Sequence, residues 1–126
     1  MDELPQNQNA FQVDRDLYHL MFEFSPAGIV CVGLNGKFLL VNQAFCDLLG
    51  YTREELLERS FQEVTYAGDI PADLEFVRGA IAGKQQAYRR EKRYIHKNGS
   101  LLWMYLTSML LRDSAGKPLF FLTVLV

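Results

Sequence analysis

The run NGKFLLVNQAFCDLLGYTREEL, from Asn35 to Leu56, sets a tight turn, a strand and two capped helical turns one after another, and the fold is read outward from it. Asn35-Gly36 is the dipeptide a two-residue hairpin favours, since both central residues then take positive φ; Gly28 to Leu34 and Lys37 to Val41 are therefore predicted as paired antiparallel strands. Asn42 carries the side-chain acceptor of an N-cap, Phe45, Leu48 and Leu49 share one helical face, and Gly50 stands where a glycine ends a helix. Thr52 with Glu55, and Ser60 with Glu63, have the capping-box spacing, which predicts two more short helical turns.

Upstream, residues 1–10 are polar, rich in Asn and Gln, and contain Pro5, which predicts a flexible lead-in. In residues 11–24, Phe11, Leu17, Leu20, Met21 and Phe24 recur near helical spacing, with Tyr18 and Phe22 as a second apolar flank. A helix this apolar needs two surfaces to pack against. Ser25-Pro26 stops it, and residues 25–126 form the core domain.

Downstream, a longer helix is predicted from Ile70 to Ala82, opened by Pro71 and closed by Gly83, with Leu74, Val77 and Ile81 inward and Phe76 and Ala80 beside them. Three strands follow: Gln86 to Lys97, Ser100 to Arg112 and Pro118 to Val126, separated by turns at Asn98-Gly99 and Ser114-Ala115-Gly116. The middle strand, LLWMYLTSMLL, is apolar on both alternating faces, so both should be covered. The short helices cover one; the other, bearing Trp103, Tyr105 and Met109, is left for the N-terminal helix or a partner chain. The final apolar strand has no polar tail, from which the natural polypeptide is expected to continue past Val126.

Composition narrows the function. A formal charge of −2 gives no basic face for phosphate, which argues against nucleic acid, and the charged stretch from Arg89 to Lys97 reads as a solvated strand face. Cys31 and Cys46 lie in apolar segments without metal-type spacing and imply no disulfide, as expected of inert thiols in a reducing compartment. The N-terminus is acidic where a secretory signal is basic, and no apolar run reaches the roughly 20 residues of a membrane span, so a cytoplasmic location without membrane insertion is expected. No catalytic or nucleotide-binding motif and no metal-ligand set stands out.

Four collinear segments resemble the PAS family of bacterial signalling domains: SPAGI from Ser25, the run from Asn35 to Leu56, EKRYIHKNGSLLW from Glu91, and RDSAGKPLFFL from Arg112. The resemblance implies an α+β fold with a five-stranded antiparallel sheet of order 2-1-5-4-3, cupped by short helices and preceded by a flanking helix, with a small cavity between sheet and helices. It further implies a sensor, signal-relay and dimerisation domain of a larger protein: a histidine kinase of a two-component system, a diguanylate cyclase or phosphodiesterase, or a transcription regulator. The output domain is expected beyond Val126, and the homodimer through the N-terminal helix and the Trp103, Tyr105 and Met109 face.

Carried onto this chain, the family's inward phase gives a cavity wall of Val30, Val32, Leu39, Val41, Phe45 and Leu49 from the first half. From the second half it takes Phe76, Val77, Met104, Leu106, Ser108, Phe121 and Thr123. Each apolar member also reads as plain core, whereas Ser108 and Thr123 place hydroxyls where a small organic ligand could use them. Haem is disfavoured because the helix from Ile70 to Gly83 has no axial histidine, and His19 and His96 read as surface or packing residues. A covalent flavin switch is disfavoured because the Asn-Cys-Arg motif is missing and Cys46 lies between Phe45 and Asp47. The resemblance also suggests a Glu55–Lys97 ion pair, and Glu91 with Arg93 reads as cross-strand pairing. Two rivals stand beside the sensor: a ligand-free dimerisation module, and a small enzyme using Asp69, Asp73 or Glu75, each of which reads as a cap or solvent-face residue.

Overall fold

The computed structural model describes residues 10–126, with side chains from residue 14; of the expected flexible lead-in, residues 1–9 lie outside the described residues. Helix α1 spans Ala10–Glu23, strands β1 and β2 span Gly28–Val32 and Phe38–Val41, and helices α2 and α3 span Gln43–Leu49 and Arg53–Leu57. Two 3₁₀ turns, Phe61–Val64 and Ala67–Asp69, lead into α4, Ile70–Ile81, and then β3, Ala87–Ile95, β4, Leu101–Arg112, and β5, Pro118–Leu125. The strands form one antiparallel sheet of order β2-β1-β5-β4-β3, as expected.

All three hairpins use one design. Gly36, Gly99 and Gly116 hold positive φ of 89°, 89° and 85° after a turn closed by Gly36 N–H to Gly33 O, Gly99 N–H to His96 O, and Gly116 N–H to Asp113 O. Asn35 does not share the positive φ predicted for it: each loop has three residues and needs only its glycine there, so β1 ends at Val32 and not Leu34. The first loop also carries a register shift, since Cys31 pairs with Leu40 and Val32 with Phe38.

Asn42 joins four pieces of chain. Its Oδ1 accepts from Phe45 N at 3.1 Å, capping α2, and from Ile29 N at 2.9 Å, while its Nδ2 donates to Ala27 O at 3.0 Å and Phe22 O at 2.9 Å. Every hydrogen-bonding position of the amide is filled and the residue is fully buried. Thr52 and Glu55 form the predicted capping box, and Gly50, at φ 78°, ends α2.

The core lies on one side of the sheet. Phe45, Leu49, Leu56, Val64, Phe76 and Ala80 press onto Val30, Leu106, Leu110, Phe121 and Leu125. The α4 phase departs from expectation: Asp73, Phe76 and Ala80 are buried, Leu74 and Val77 half-buried, and Ile81 exposed. On the opposite side the predicted cover is missing among the described residues. Trp103 is 62% and Tyr105 44% exposed, and α1, held at its C-terminal end by Asn42 and by the Arg53–Glu23 pair, leaves Leu17, Tyr18, Leu20, Met21 and Phe24 exposed.

Residues 59–69 cover part of each sheet edge. Arg59 O accepts from Phe38 N, Gly36 O from Phe61 N, and Ser60 bridges Lys37 along β2. The same stretch then crosses to β3, where Thr65 bridges Tyr94, Tyr66 N–H donates to Arg93 O, and Arg93 N–H donates to Asp69 Oδ2 at 2.8 Å.

Candidate ligand cavity

Between the sheet and α4 lies a cavity of about 60 Å³. A single water needs roughly 10–15 Å³ on this measure, so the space holds about four to six water-sized groups. Nine of the expected residues line it: Val30, Val32, Phe45, Phe76, Val77, Leu106, Ser108, Phe121 and Thr123. Four do not. Val41 and Leu49 are buried in the core away from it, and Met104 is half-buried beside it, next to its strand partner Lys92. Leu39 is 50% exposed, because the register shift puts Phe38 and Val41, three residues apart, on the inner side of β2.

Sequence reading missed Phe38, Phe61, Asp73, Tyr88, Lys92 and Tyr94, with Gly33 and Gly36. The rings pack in a defined order: Phe76 stacks on Tyr88 at 4.6 Å and meets Phe121 edge-on, while Phe45 lies between Phe38 and Tyr94.

Charge is concentrated at one part of this wall, contrary to the expected solvent-facing roles of β3 and α4. Lys92 Nζ lies 2.5 Å from Asp73 Oδ2, with both side chains buried, and the ammonium faces the Tyr94 ring at 4.6 Å and the Phe61 ring at 5.4 Å. Burial outweighs the pull of Asp73 and lowers the Lys92 pKa. Asp73 Oδ1 accepts from Tyr88 Oη at 3.3 Å, and Tyr88 accepts from Arg90 Nη1 at 2.9 Å. Burial raises the Tyr88 pKa, and that of Tyr94 further.

The charges continue outward from the cavity. Arg90 lies 3.7 Å from Asp73 and 3.3 Å from Asp69, and Asp69 is bound by Arg93 through Nη2 at 2.9 Å and Nε at 3.1 Å. Arg93 thus pairs with Asp69 and not with Glu91, and its bonds hold the Asp69 carboxyl down at about 2. The Arg93 guanidinium sits 4.1 Å from the Tyr66 ring and 4.8 Å from the Trp103 ring on the outer face. Of the carboxylates weighed for catalysis, Asp69 and Asp73 are therefore buried in ion pairs and only Glu75 faces solvent. The Glu55–Lys97 pair forms at 2.8 Å, as expected.

On the sheet floor, the Thr123 and Ser108 hydroxyls bond each other at 2.9 Å. The lining has no histidine, and the space is several times too small for a porphyrin or a flavin ring system, so neither group fits. His96 instead accepts from Asn98 N at its own turn, and burial raises the pKa of both cysteine thiols. Among the described residues no group of three or more His, Cys, Asp or Glu side chains could hold a metal, and no helix is long and apolar enough to cross a membrane.

Comparison with known proteins agrees with this architecture. The family model described as PAS fold matches residues 38–125. A probable diguanylate cyclase, DgcE of Escherichia coli (strain K12), is 40% identical over 100 residues, and the sensor histidine kinase TmoS of Ectopseudomonas mendocina is 25% identical over 115. These matches cover 79% and 91% of this chain but only 9% and 12% of the two relatives. The crystal structure of a PAS domain from Colwellia psychrerythraea superposes with a TM-score of 0.81 at 19% identity, covering 90% of this chain and 95% of that one. The chain belongs to the PAS-fold family, as a sensor-type domain homologous to segments of signalling proteins.

Proposed function

We propose that the domain is a regulatory sensor, not a catalyst, and that it binds a small organic molecule in the cavity and relays occupancy to its outer sheet face. The observation that carries this reading is the contiguous run of charged contacts from Lys92 through Asp73, Arg90, Asp69 and Arg93 to Trp103. A ligand that takes a hydrogen bond from Lys92 competes with Asp73. Asp73 then leans on Arg90, Arg90 shares Asp69 with Arg93, and the guanidinium over Trp103 shifts. The surface of exposed Trp103 and Tyr105 with half-buried Met109, together with the apolar side chains of α1, suits a second copy of the chain. In a larger cytoplasmic protein, kinase or cyclase output following Val126 would read the change in that pairing.

Native mass spectrometry compared with the denatured mass, together with Trp103 fluorescence, tests the reading. The chain has a single tryptophan, so its emission reports the outer face alone. A co-purifying or added small molecule should shift that emission, and Arg93→Ala should abolish the shift while leaving binding intact. A dimer that never takes up a small molecule would instead indicate a ligand-free pairing module.

A further inference from the structure

Resting on that reading of the cavity, the geometry points to its ligand class: a small uncharged molecule with an oxygen acceptor, held by Lys92 and the Ser108–Thr123 hydroxyls with its apolar body among the rings. The wall keeps open donors for such an acceptor. An ammonium has three N–H groups, and among the described residues only Asp73 accepts one by a hydrogen bond; the Tyr94 and Phe61 rings face the ammonium without supplying a lone pair. A bond between two hydroxyls uses one hydrogen, so the Ser108–Thr123 pair has another to give. The Asp73 carboxylate is already engaged, Oδ2 by Lys92 and Oδ1 by Tyr88.

Charge selects against ions. A carboxylate reaching Lys92 would meet the Asp73 carboxylate already 2.5 Å from that ammonium, and would leave water for an apolar wall. A cation would meet the Lys92 charge, with both Asp73 oxygens already bonded. A hydrocarbon fills the space but leaves the open donors unused. A neutral carbonyl or ether oxygen accepts from Lys92 without disturbing the net neutrality of the pair.

The test is an NMR titration of the chain with four probes matched in heavy-atom count: cyclohexanone, methylcyclohexane, pentanoate and cyclohexylammonium. Cyclohexanone should bind about tenfold more tightly than the other three, with shifts at Lys92 and Ser108. The double variant K92M/D73L, which removes both charges, should erase the preference for cyclohexanone over methylcyclohexane while keeping methylcyclohexane binding. Ser108→Ala, a smaller change, should weaken cyclohexanone about fivefold. Tightest binding by pentanoate or cyclohexylammonium, or equal binding by methylcyclohexane, overturns the ligand class while leaving the cavity as a sensor site. Failure of all four to bind overturns both.

Discussion

Lys92 and Asp73 meet at 2.5 Å with their side chains 4% and 6% exposed, so a strand and a helix that look solvated in sequence are joined by charge inside the core. Such a pair is a poor source of net stability, because each ion gives up its hydration to form it, but removing one partner strands the other. Lys92→Met should therefore destabilise the domain by about 3 kcal/mol, and adding Asp73→Leu should recover most of that loss. Urea denaturation of the single and double variants measures both; equal losses would mean that the pair supplies net stability.

Asn42→Ala removes four hydrogen bonds at one buried point and opens a gap beneath α2. The expected cost is about 2–4 kcal/mol, since the Ile29 and Phe45 N–H groups lose their acceptor. Hydrogen exchange should rise first in α1, whose Phe22 carbonyl is held by this side chain. An unchanged α1 would show that the helix is fixed elsewhere.

Asp69 gives the fold an acid-sensitive contact. Its folded-state pKa of about 2 lies below the ordinary aspartate value near 3.9, so its contribution is complete above about pH 4 and is lost as pH falls through about 2. The contribution is on the order of 1 kcal/mol, because the Arg93 partner is partly solvated. Asp69→Asn should accordingly be less stable than the parent at pH 7, with the gap narrowing below about pH 4 and closing only as pH falls through about 2. A stability gap that stays constant over this range would rule out the carboxylate charge as its source.

Trp103→Glu places a charge in the exposed outer face, where monomer stability should change by no more than about 0.5 kcal/mol. If two copies pair through this face, sedimentation velocity should show the parent as a dimer and the variant as a monomer. The same sedimentation coefficient for both would remove this face from the interface.

The elements were legible because their boundaries are written in local chemistry. Asn42, Thr52 and Gly50 cap as their types dictate, and each hairpin is set by an Asn or Asp with a glycine that takes positive φ. Nine of the residues given by the family's inward phase lie on the cavity wall. The charged part of the cavity was hidden. Residues 89–93 of β3 are charged on both faces, so alternation alone assigns no phase, and Asp73 was read by its type. The available signals were Tyr88 and Tyr94, whose two-residue spacing with Arg90 and Lys92 puts all four on one side, and the three-residue step from Asp73 to Phe76. Leu39 failed for another reason, because a register shift cannot be seen in either strand alone.

Because residues 59–69 bond to the outer margin of β2 at Phe38 and to that of β3 at Arg93 and Tyr94, part of each margin is already taken before an incoming strand arrives. A strand docking edge to edge would have to break those bonds first or settle for the stretch of β3 before Arg93.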